Sequence, residues 1–226
     1  MTICLVTDRR RLVRGGADGV DARQCLLEQV RCAVGAGVDL IQVRERDLEA
    51  GALAALVTDL LAITRRTPTR IVVNDRLDVA LAAGADGVHL RADSMSVADA
   101  RRLAPAGFLV GRSVHGAGEA AAAADADYLI AGTVFPSRSK DPSHRLLGLD
   151  GLRAIVSASV APVLAIGGVT AEHLDAIAAA GAAGIAAIGL FTRAADAVEH
   201  GGCGAFDLRA VVADARSRFD RVNTAF

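Results

Sequence analysis

Short apolar runs alternate with longer, alanine-rich amphipathic segments along almost the whole chain. The runs have the length of strands that are buried on both faces, and the segments between them have helical spacing. Strands are predicted near residues 3–7, 39–44, 70–74, 86–90, 108–112, 127–131, 162–166 and 184–188. Helices are predicted near residues 21–35, 49–65, 77–83, 96–104, 117–124, 149–159, 171–180 and 206–220, with a short extra turn near 190–197. This alternation predicts an α/β protein in which residues 1–226 form a single (β/α)₈ TIM barrel.

An internal repeat supports this strand count. Similar short segments, Ala-Gly-Val-Asp being the first, lead into the even-numbered strands at residues 36–39, 83–86, 124–127 and 180–183. Each is interpreted as a helix C-terminus followed by a tight turn, which indicates fold and not chemistry. The alternative is a doubly wound open sheet, which is disfavoured because no G-x-G-x-x-G segment opens the first β/α turn.

Composition narrows the possible partners. The chain has 226 residues, 52% of them hydrophobic, a net charge of −1, 3% aromatic residues and no Trp. A nucleic acid or an anionic membrane is therefore not expected as a partner. No signal peptide or membrane-length apolar run is recognised, so a cytoplasmic protein is expected. Cys4, Cys25, Cys32 and Cys203 lack metal-ligand spacing and are expected to be reduced, buried side chains.

The stretch from Pro162 to Phe191 contains two glycine turns, each directly after a predicted strand. Gly167 and Gly168 follow the seventh strand, and Gly189 follows the eighth. In a parallel β/α protein two such turns can aim backbone N–H groups at one phosphate. The alternative is that these glycines serve only tight turns. Their separation by one β/α unit favours a phosphate site.

Cationic and small polar residues follow several other strands. Gln42, Arg44 and Arg46 share one orientation by strand alternation, and two guanidiniums suit a phosphate or pyrophosphate. The remaining polar candidates at strand ends and in the loop of residues 133–148 are Asn74, Ser113, Ser137, Ser139 and Lys140. That loop is interpreted as an anion-binding lid, with an ordinary solvated loop as the alternative.

Histidines supply the candidate acid–base chemistry. His115 follows the fifth strand and is the natural proton-transfer group, with a capping or buried role as the alternative. His89 lies inside an apolar strand and is interpreted as structural. The other three, which are interpreted as loop or helix-surface residues, are His144, His173 and His200.

Six ordered motifs carry a family resemblance. They are LVTD, IQVRER, VVNDRLDVALAAGADGVHL, VGRSVH, AGTVFPSRSK and PVLAIGGVTAEHL. Together they resemble the thiamin phosphate synthase/TenI superfamily of TIM barrels, from about residue 3 to residue 195. The resemblance implies an enzyme of thiamin biosynthesis that binds a small phosphorylated thiazole. It also implies a homodimer, since that is the habit of the superfamily.

The synthase branch joins a pyrimidine methyl pyrophosphate to a thiazole phosphate and releases pyrophosphate. Its motifs imply a Mg²⁺ site, and Asp75, with Asp93, would supply the carboxylates here. The family's metal-binding Asp falls on Ser94, and the family's Arg-Glu-Lys reads Arg44-Glu45-Arg46.

The TenI-like branch is a thiazole tautomerase, which aromatises a carboxythiazole phosphate by moving a proton and needs no metal. Its Gly-Arg-Ser-Val-His segment matches residues 111–115 in full, which makes His115 the implied catalytic group. Asp75 and the FPSRSK loop resemble the synthase instead. The sequence is interpreted as a tautomerase without a cofactor, with the Mg²⁺-dependent synthase as the alternative and a non-catalytic ligand-binding protein as a third possibility.

Overall fold

The computed structural model of this chain describes residues 1–13, 21–137, 145–192 and 208–224. Its strands are β1 (Thr2–Val6), β2 (Leu40–Val43), β3 (Arg70–Asn74), β4 (Gly87–Leu90), β5 (Leu109–Val114), β6 (Tyr128–Gly132), β7 (Val163–Ile166) and β8 (Gly184–Ala187). All are parallel and close in the order β1 to β8, with β8 paired to β1. The predicted TIM barrel is confirmed, and the open doubly wound sheet is wrong because no sheet edge remains open.

Helices follow the strands around the outside of the barrel. Within the described residues they are α1 (Ala22–Ala36), α2 (Ala50–Thr64), α3 (Leu77–Ala83), α4 (Val97–Leu103), α5 (Ala117–Ala122), α6 (Gly148–Ala158), α7 (Leu174–Ala179), α8 (Gly189–Thr192) and α9 (Leu208–Thr224). Two 3₁₀ turns, η1 (Arg9–Arg11) and η2 (Ala171–His173), lie after β1 and before α7. The predicted helix of residues 171–180 is therefore a 3₁₀ turn followed by a shorter α-helix.

The repeated segments at residues 36–39, 83–86, 124–127 and 180–183 lie at the N-terminal end of the barrel. Helices α1 and α3 end at Gly37 and Gly84, whose φ angles of 83° and 70° are left-handed. The carboxylates of Asp39, Asp86 and Asp127 each accept a hydrogen bond from the preceding strand. The donors are the backbone N–H groups of Ile3, Ile71 and Val110, at 2.7, 2.8 and 2.6 Å. Three of the four segments therefore also join neighbouring strands through a carboxylate.

The apolar side chains form two layers. A large cluster fills the space between strands and helices. A smaller one fills the barrel interior and consists of Cys4, Val6, Leu40, Val72, Tyr128, Ile130, Leu164 and Ala186. Among the described residues no helix is both long and apolar enough to cross a membrane. Cys4 and Cys25 are buried, and Cys203 lies outside the described residues.

Candidate active site

A cavity of about 1150 Å³ opens at the carboxyl ends of the barrel strands. It brings together eleven of the predicted site residues, namely Gln42, Arg44, Arg46, Asn74, Asp93, Ser113, His115, Ser137, Gly167, Gly168 and Gly189. Ser139 and Lys140 lie outside the described residues. Residues from seven different strands and their loops thus converge on one space, which is the usual place for a site in a β/α barrel.

Three guanidinium groups line one side of the cavity. Arg44 and Arg46 come from the end of β2, and Arg11 comes from η1 after β1. Burial lowers the pKa of Arg44, and the charges of Arg46 and Arg11 lower it further, while Asp8, which pairs with Arg11 at 3.0 Å, raises it. These cations repel one another, so the arrangement favours a multiply charged anion between them.

Glu45 does not neutralise this cluster. Its buried carboxylate accepts hydrogen bonds from Thr7 Oγ1 at 2.7 Å and from Arg9 Nη1 at 2.9 Å. Arg9 also pairs with Asp47 at 2.6 Å. Glu45 therefore anchors η1, which carries Arg11, against β2. Sequence reasoning missed Arg11, although the Arg9-Arg10-Arg11 run directly after the first strand was a usable signal.

Amide side chains from β2 and β3 meet inside the cavity. Gln42 Nε2 donates to Asn74 Oδ1 at 2.8 Å. Gln42 Oε1 is buried and has no hydrogen-bond partner among the described residues. A buried carbonyl oxygen without a partner is costly, so this oxygen is a candidate acceptor for a ligand N–H group.

Asp75 lies directly after β3 with the left-handed φ of 61°. Its Oδ1 is buried and has no hydrogen-bond partner among the described residues, and its Oδ2 lies 3.5 Å from Arg91 Nη1. Arg91 also pairs with Asp93, whose side chain is 70% exposed. No group of three or more His, Cys, Asp or Glu side chains able to hold a metal is found in the described ranges.

Of the two carboxylates near this strand end, one, that of Asp75, suits Mg²⁺. Mg²⁺ prefers oxygen ligands and is commonly held by one or two carboxylates together with substrate phosphates. The unpartnered Asp75 Oδ1 meets this need, whereas Asp93 is already engaged by Arg91. The residues present therefore suit a metal that is bound jointly with a phosphorylated substrate.

The glycines after β7 allow close packing between two loops of the protein itself. Gly167 and Gly168 have φ angles of 95° and 64°. A Cβ on Gly168 would lie 2.3 Å from Pro136 O and 2.7 Å from Phe135 O, both in the loop after β6. A side chain at this position would therefore collide with the protein's own backbone. These glycines let two loops of the cavity rim approach each other, while Gly189 has open space around its missing Cβ.

His115 lies at the cavity wall and is exposed. Its Nδ1 is hydrogen-bonded to the Gly132 carbonyl, which can only accept, so Nδ1 carries the proton. The backbone N–H of His115 donates to Glu119 Oε2 at 2.8 Å.

His89 lies deeper, in β4, and is 1% exposed. Its Nδ1 is 3.2 Å from Tyr128 Oη, and its Nε2 is 2.9 Å from Ser113 Oγ. Burial lowers the pKa of His89 to about 3, and the Arg112 charge adds to this effect. His89 is therefore neutral, and it contributes to the cavity lining.

His173 is not an ordinary surface residue. It is half-buried, lines the cavity, and stacks on Phe135 with ring centroids 3.8 Å apart and an angle of 7° between the ring planes. Its Nδ1 lies 3.1 Å from both Thr170 Oγ1 and Gly168 O. The stack joins η2 to the loop after β6. The prediction that placed His173 on a loop or helix surface missed this contact, because Phe135 is distant in sequence.

Fold and site together define a β/α-barrel protein with a cavity lined by several arginines at the carboxyl ends of its strands. Residues 12–191 match the family model described as thiamine monophosphate synthase. The chain belongs to this thiamine monophosphate synthase/TenI family.

Individual relatives agree with the family match. The chain is 43% identical to the thiamine-phosphate synthase of Methanoregula boonei over 194 residues, which are 85% of this chain and 88% of that protein. It is 42% identical to the thiamine-phosphate synthase of Anaeromyxobacter dehalogenans, over 82% and 81% of the two chains. The solved structure of thiamine phosphate pyrophosphorylase from Pyrococcus furiosus superposes with a TM-score of 0.76 at 33% identity, covering 98% and 96% of the two chains.

The preference for a tautomerase is wrong, because relatives that are 40–43% identical over most of the chain are named thiamine-phosphate synthase. The structure explains why residues 111–115 misled. A Cβ on Gly111 would lie 2.1 Å from Tyr128 Cζ, so this glycine makes room for a packed ring. Arg112 donates to the carbonyls of Ala92 and Met95 and so holds the loop after β4. Both residues therefore have packing roles that do not require tautomerase chemistry.

Proposed function

We propose that this chain is a thiamine-phosphate synthase, which joins hydroxymethylpyrimidine pyrophosphate to a thiazole phosphate and releases pyrophosphate. The observation that carries the proposal is the convergence of three guanidiniums on one cavity. The unpartnered carboxylate oxygen of Asp75 lies directly after β3, next in sequence to Asn74, which lines that cavity. Departure of pyrophosphate concentrates negative charge on the leaving oxygens. Cations that are already in place stabilise that charge without having to reorganise during the reaction.

Asp75 would hold Mg²⁺ in this enzyme, and the bound ion would supply further neutralisation of the pyrophosphate charge. Arg91 keeps its position between Asp75 and Asp93 and adds a positive charge to the same side of the cavity. The expectation of no cofactor depended on the tautomerase interpretation. The synthase proposal replaces it with a Mg²⁺ requirement.

The thiazole phosphate would bind in the same cavity, against the turns at Gly167-Gly168 and Gly189. Backbone N–H groups at such turns bind phosphate oxygens without a counter-charge. Ser137 lines the same cavity and would add a hydroxyl. Ser139 and Lys140, which follow it in sequence, stay predicted phosphate ligands.

Arg44→Lys is expected to lower kcat/KM for thiamine phosphate formation by about 10- to 100-fold, since an ammonium cannot replace a bidentate guanidinium contact. Steady-state kinetics would measure this, with Arg102→Lys on the exposed surface of α4 as the matched control. Equal activity of Arg44→Lys and the wild type would place Arg44 outside the anion site.

His115→Asn is expected to reduce turnover by less than about tenfold, because loss of a true acid–base catalyst usually costs 100-fold or more. In the synthase the charge of the leaving group is neutralised by cations, and His115 contributes to the cavity wall through its bond to Gly132 O. Initial rates at saturating substrate would measure the change. A fall of 1000-fold would instead make His115 a catalytic residue.

The direct test is incubation of the full chain with both substrates and Mg²⁺, with separate detection of thiamine phosphate and pyrophosphate. Equimolar formation of the two products is the expected result. Binding of both substrates without either product would overturn the proposal in favour of a ligand-binding protein.

A further inference from the structure

Three buried or half-buried polar side chains form a hydrogen-bonded series across neighbouring strands. Tyr128 in β6 approaches His89 in β4 at 3.2 Å, and His89 approaches Ser113 in β5 at 2.9 Å. Tyr128 is 7% and His89 is 1% exposed, whereas Ser113 is half-buried and lines the cavity. The series thus runs from the closed interior of the barrel to the site.

The direction of these hydrogen bonds follows from the buried hydroxyl of Tyr128, whose hydrogen needs an acceptor. Among the described residues, His89 Nδ1 is the acceptor within hydrogen-bonding distance of the Tyr128 hydroxyl. Were His89 Nδ1 to carry the proton, the buried phenolic hydrogen would be left unsatisfied, which is costly. Tyr128 therefore donates to Nδ1, and the single proton of the neutral imidazole lies on Nε2.

The same direction continues to the cavity. Nε2–H donates to Ser113 Oγ, which accepts through a lone pair and keeps its own hydrogen available. With the opposite tautomer, Ser113 would donate to Nε2 and would offer a ligand only lone pairs. The tautomer of His89 thus decides whether Ser113 is a donor or an acceptor toward the substrate.

We propose that Tyr128 is a positioning residue that acts through His89 to present the Ser113 hydroxyl to the substrate as a hydrogen-bond donor. The proposal rests on the proposed synthase function only for the identity of the substrate. It predicts that Ser113 donates a hydrogen bond to a substrate atom with a lone pair, either a ring nitrogen or a phosphate oxygen. Gly111 makes this arrangement possible, because the Tyr128 ring occupies the space that a side chain at residue 111 would need.

The first test measures the tautomer in the unliganded protein. ¹⁵N NMR of the histidine rings is expected to show His89 protonated on Nε2 and not on Nδ1 in the wild type. Tyr128→Phe, which keeps the ring and removes only the hydroxyl, should depopulate this tautomer. Protonation of Nδ1 in the wild type would overturn the proposal, and this result does not depend on any enzymatic activity.

The second test is a double-mutant cycle on kcat/KM for thiamine phosphate formation. Tyr128→Phe is expected to lower kcat/KM by about three- to tenfold, the usual worth of one hydrogen bond. In a Ser113→Ala background the same change should have no effect, because the hydroxyl that it orients is gone. Independent, additive effects of the two substitutions would overturn the proposal.

Two controls separate this role from general stability and from the proposed function. Thr69→Val removes another buried hydroxyl, which donates to Val38 O at 2.8 Å at the far end of the barrel. It should lower stability in thermal unfolding yet leave kcat/KM unchanged.

If the wild type makes no thiamine phosphate, the synthase proposal fails while the NMR result still decides the tautomer. Affinity for inorganic pyrophosphate, compared between Ser113→Ala and the wild type, distinguishes a phosphate oxygen from a ring nitrogen as the acceptor.

Discussion

Asp75→Asn is expected to lower the rate of thiamine phosphate formation by about 100- to 1000-fold, the usual cost of losing one electrostatic contact to a developing charge. The substitution removes a negative charge while keeping the size and one oxygen of the side chain. Asn tolerates the left-handed backbone at this position, where φ is 61°, so the fold should be retained. Single-turnover kinetics with saturating Mg²⁺ would measure the change.

The physical reason lies in the unpartnered Oδ1 of Asp75. A buried carboxylate oxygen without a hydrogen bond is retained only where something else compensates it. In our proposal the compensation is Mg²⁺, so EDTA should abolish activity and added Mg²⁺ should restore it. Binding of Mn²⁺, followed by electron paramagnetic resonance, should weaken in Asp75→Asn even when no substrate turns over.

Asp93→Asn is the matched control for this experiment. Asp93 is 70% exposed and paired with Arg91, so its removal should cost less than about tenfold. Ser94→Asp restores a carboxylate where the family has its metal ligand, and we expect it to raise activity at limiting Mg²⁺. Full activity of Asp75→Asn in the presence of EDTA would remove Mg²⁺ from the proposed function.

Gly168→Val is expected to destabilise the protein by about 3 kcal/mol or more, because it combines a strained backbone with a steric clash. The φ of Gly168 is 64°, which β-branched residues rarely adopt. Its new Cβ would lie within 3 Å of the carbonyl oxygens of Phe135 and Pro136. Relief of that clash requires movement of the loop after β6, and thiazole phosphate affinity should fall with it.

Chemical denaturation and ligand titration on the same variant would measure both effects. Gly118→Ala in α5 is the control, since nothing lies within 4 Å of its missing Cβ and its backbone is helical. It should leave stability unchanged or raise it by up to about 1 kcal/mol. A Gly168→Val variant as stable as the wild type, with its loop in place, would contradict the packing role that we assign to this glycine.

The sequence by itself determined the barrel and eleven of the residues that line its cavity. Parallel strands that are buried on both faces must be continuous apolar runs, so their number and order can be read directly from the pattern. The ends of such strands meet at one face, and Arg44, Asn74 and Ser113 could therefore be grouped without coordinates. The motif order also identified the superfamily correctly.

Tertiary structure alone decided the roles within that cavity, because each depends on contacts between residues far apart in the chain. Only the folded chain shows that Glu45 turns toward Thr7 and Arg9, which leaves the guanidiniums of Arg11 and Arg44 facing the cavity. The clearest case is the segment of residues 111–115, which by itself favoured a tautomerase. Its glycine accommodates the Tyr128 ring from the next strand, and no local pattern contains that contact.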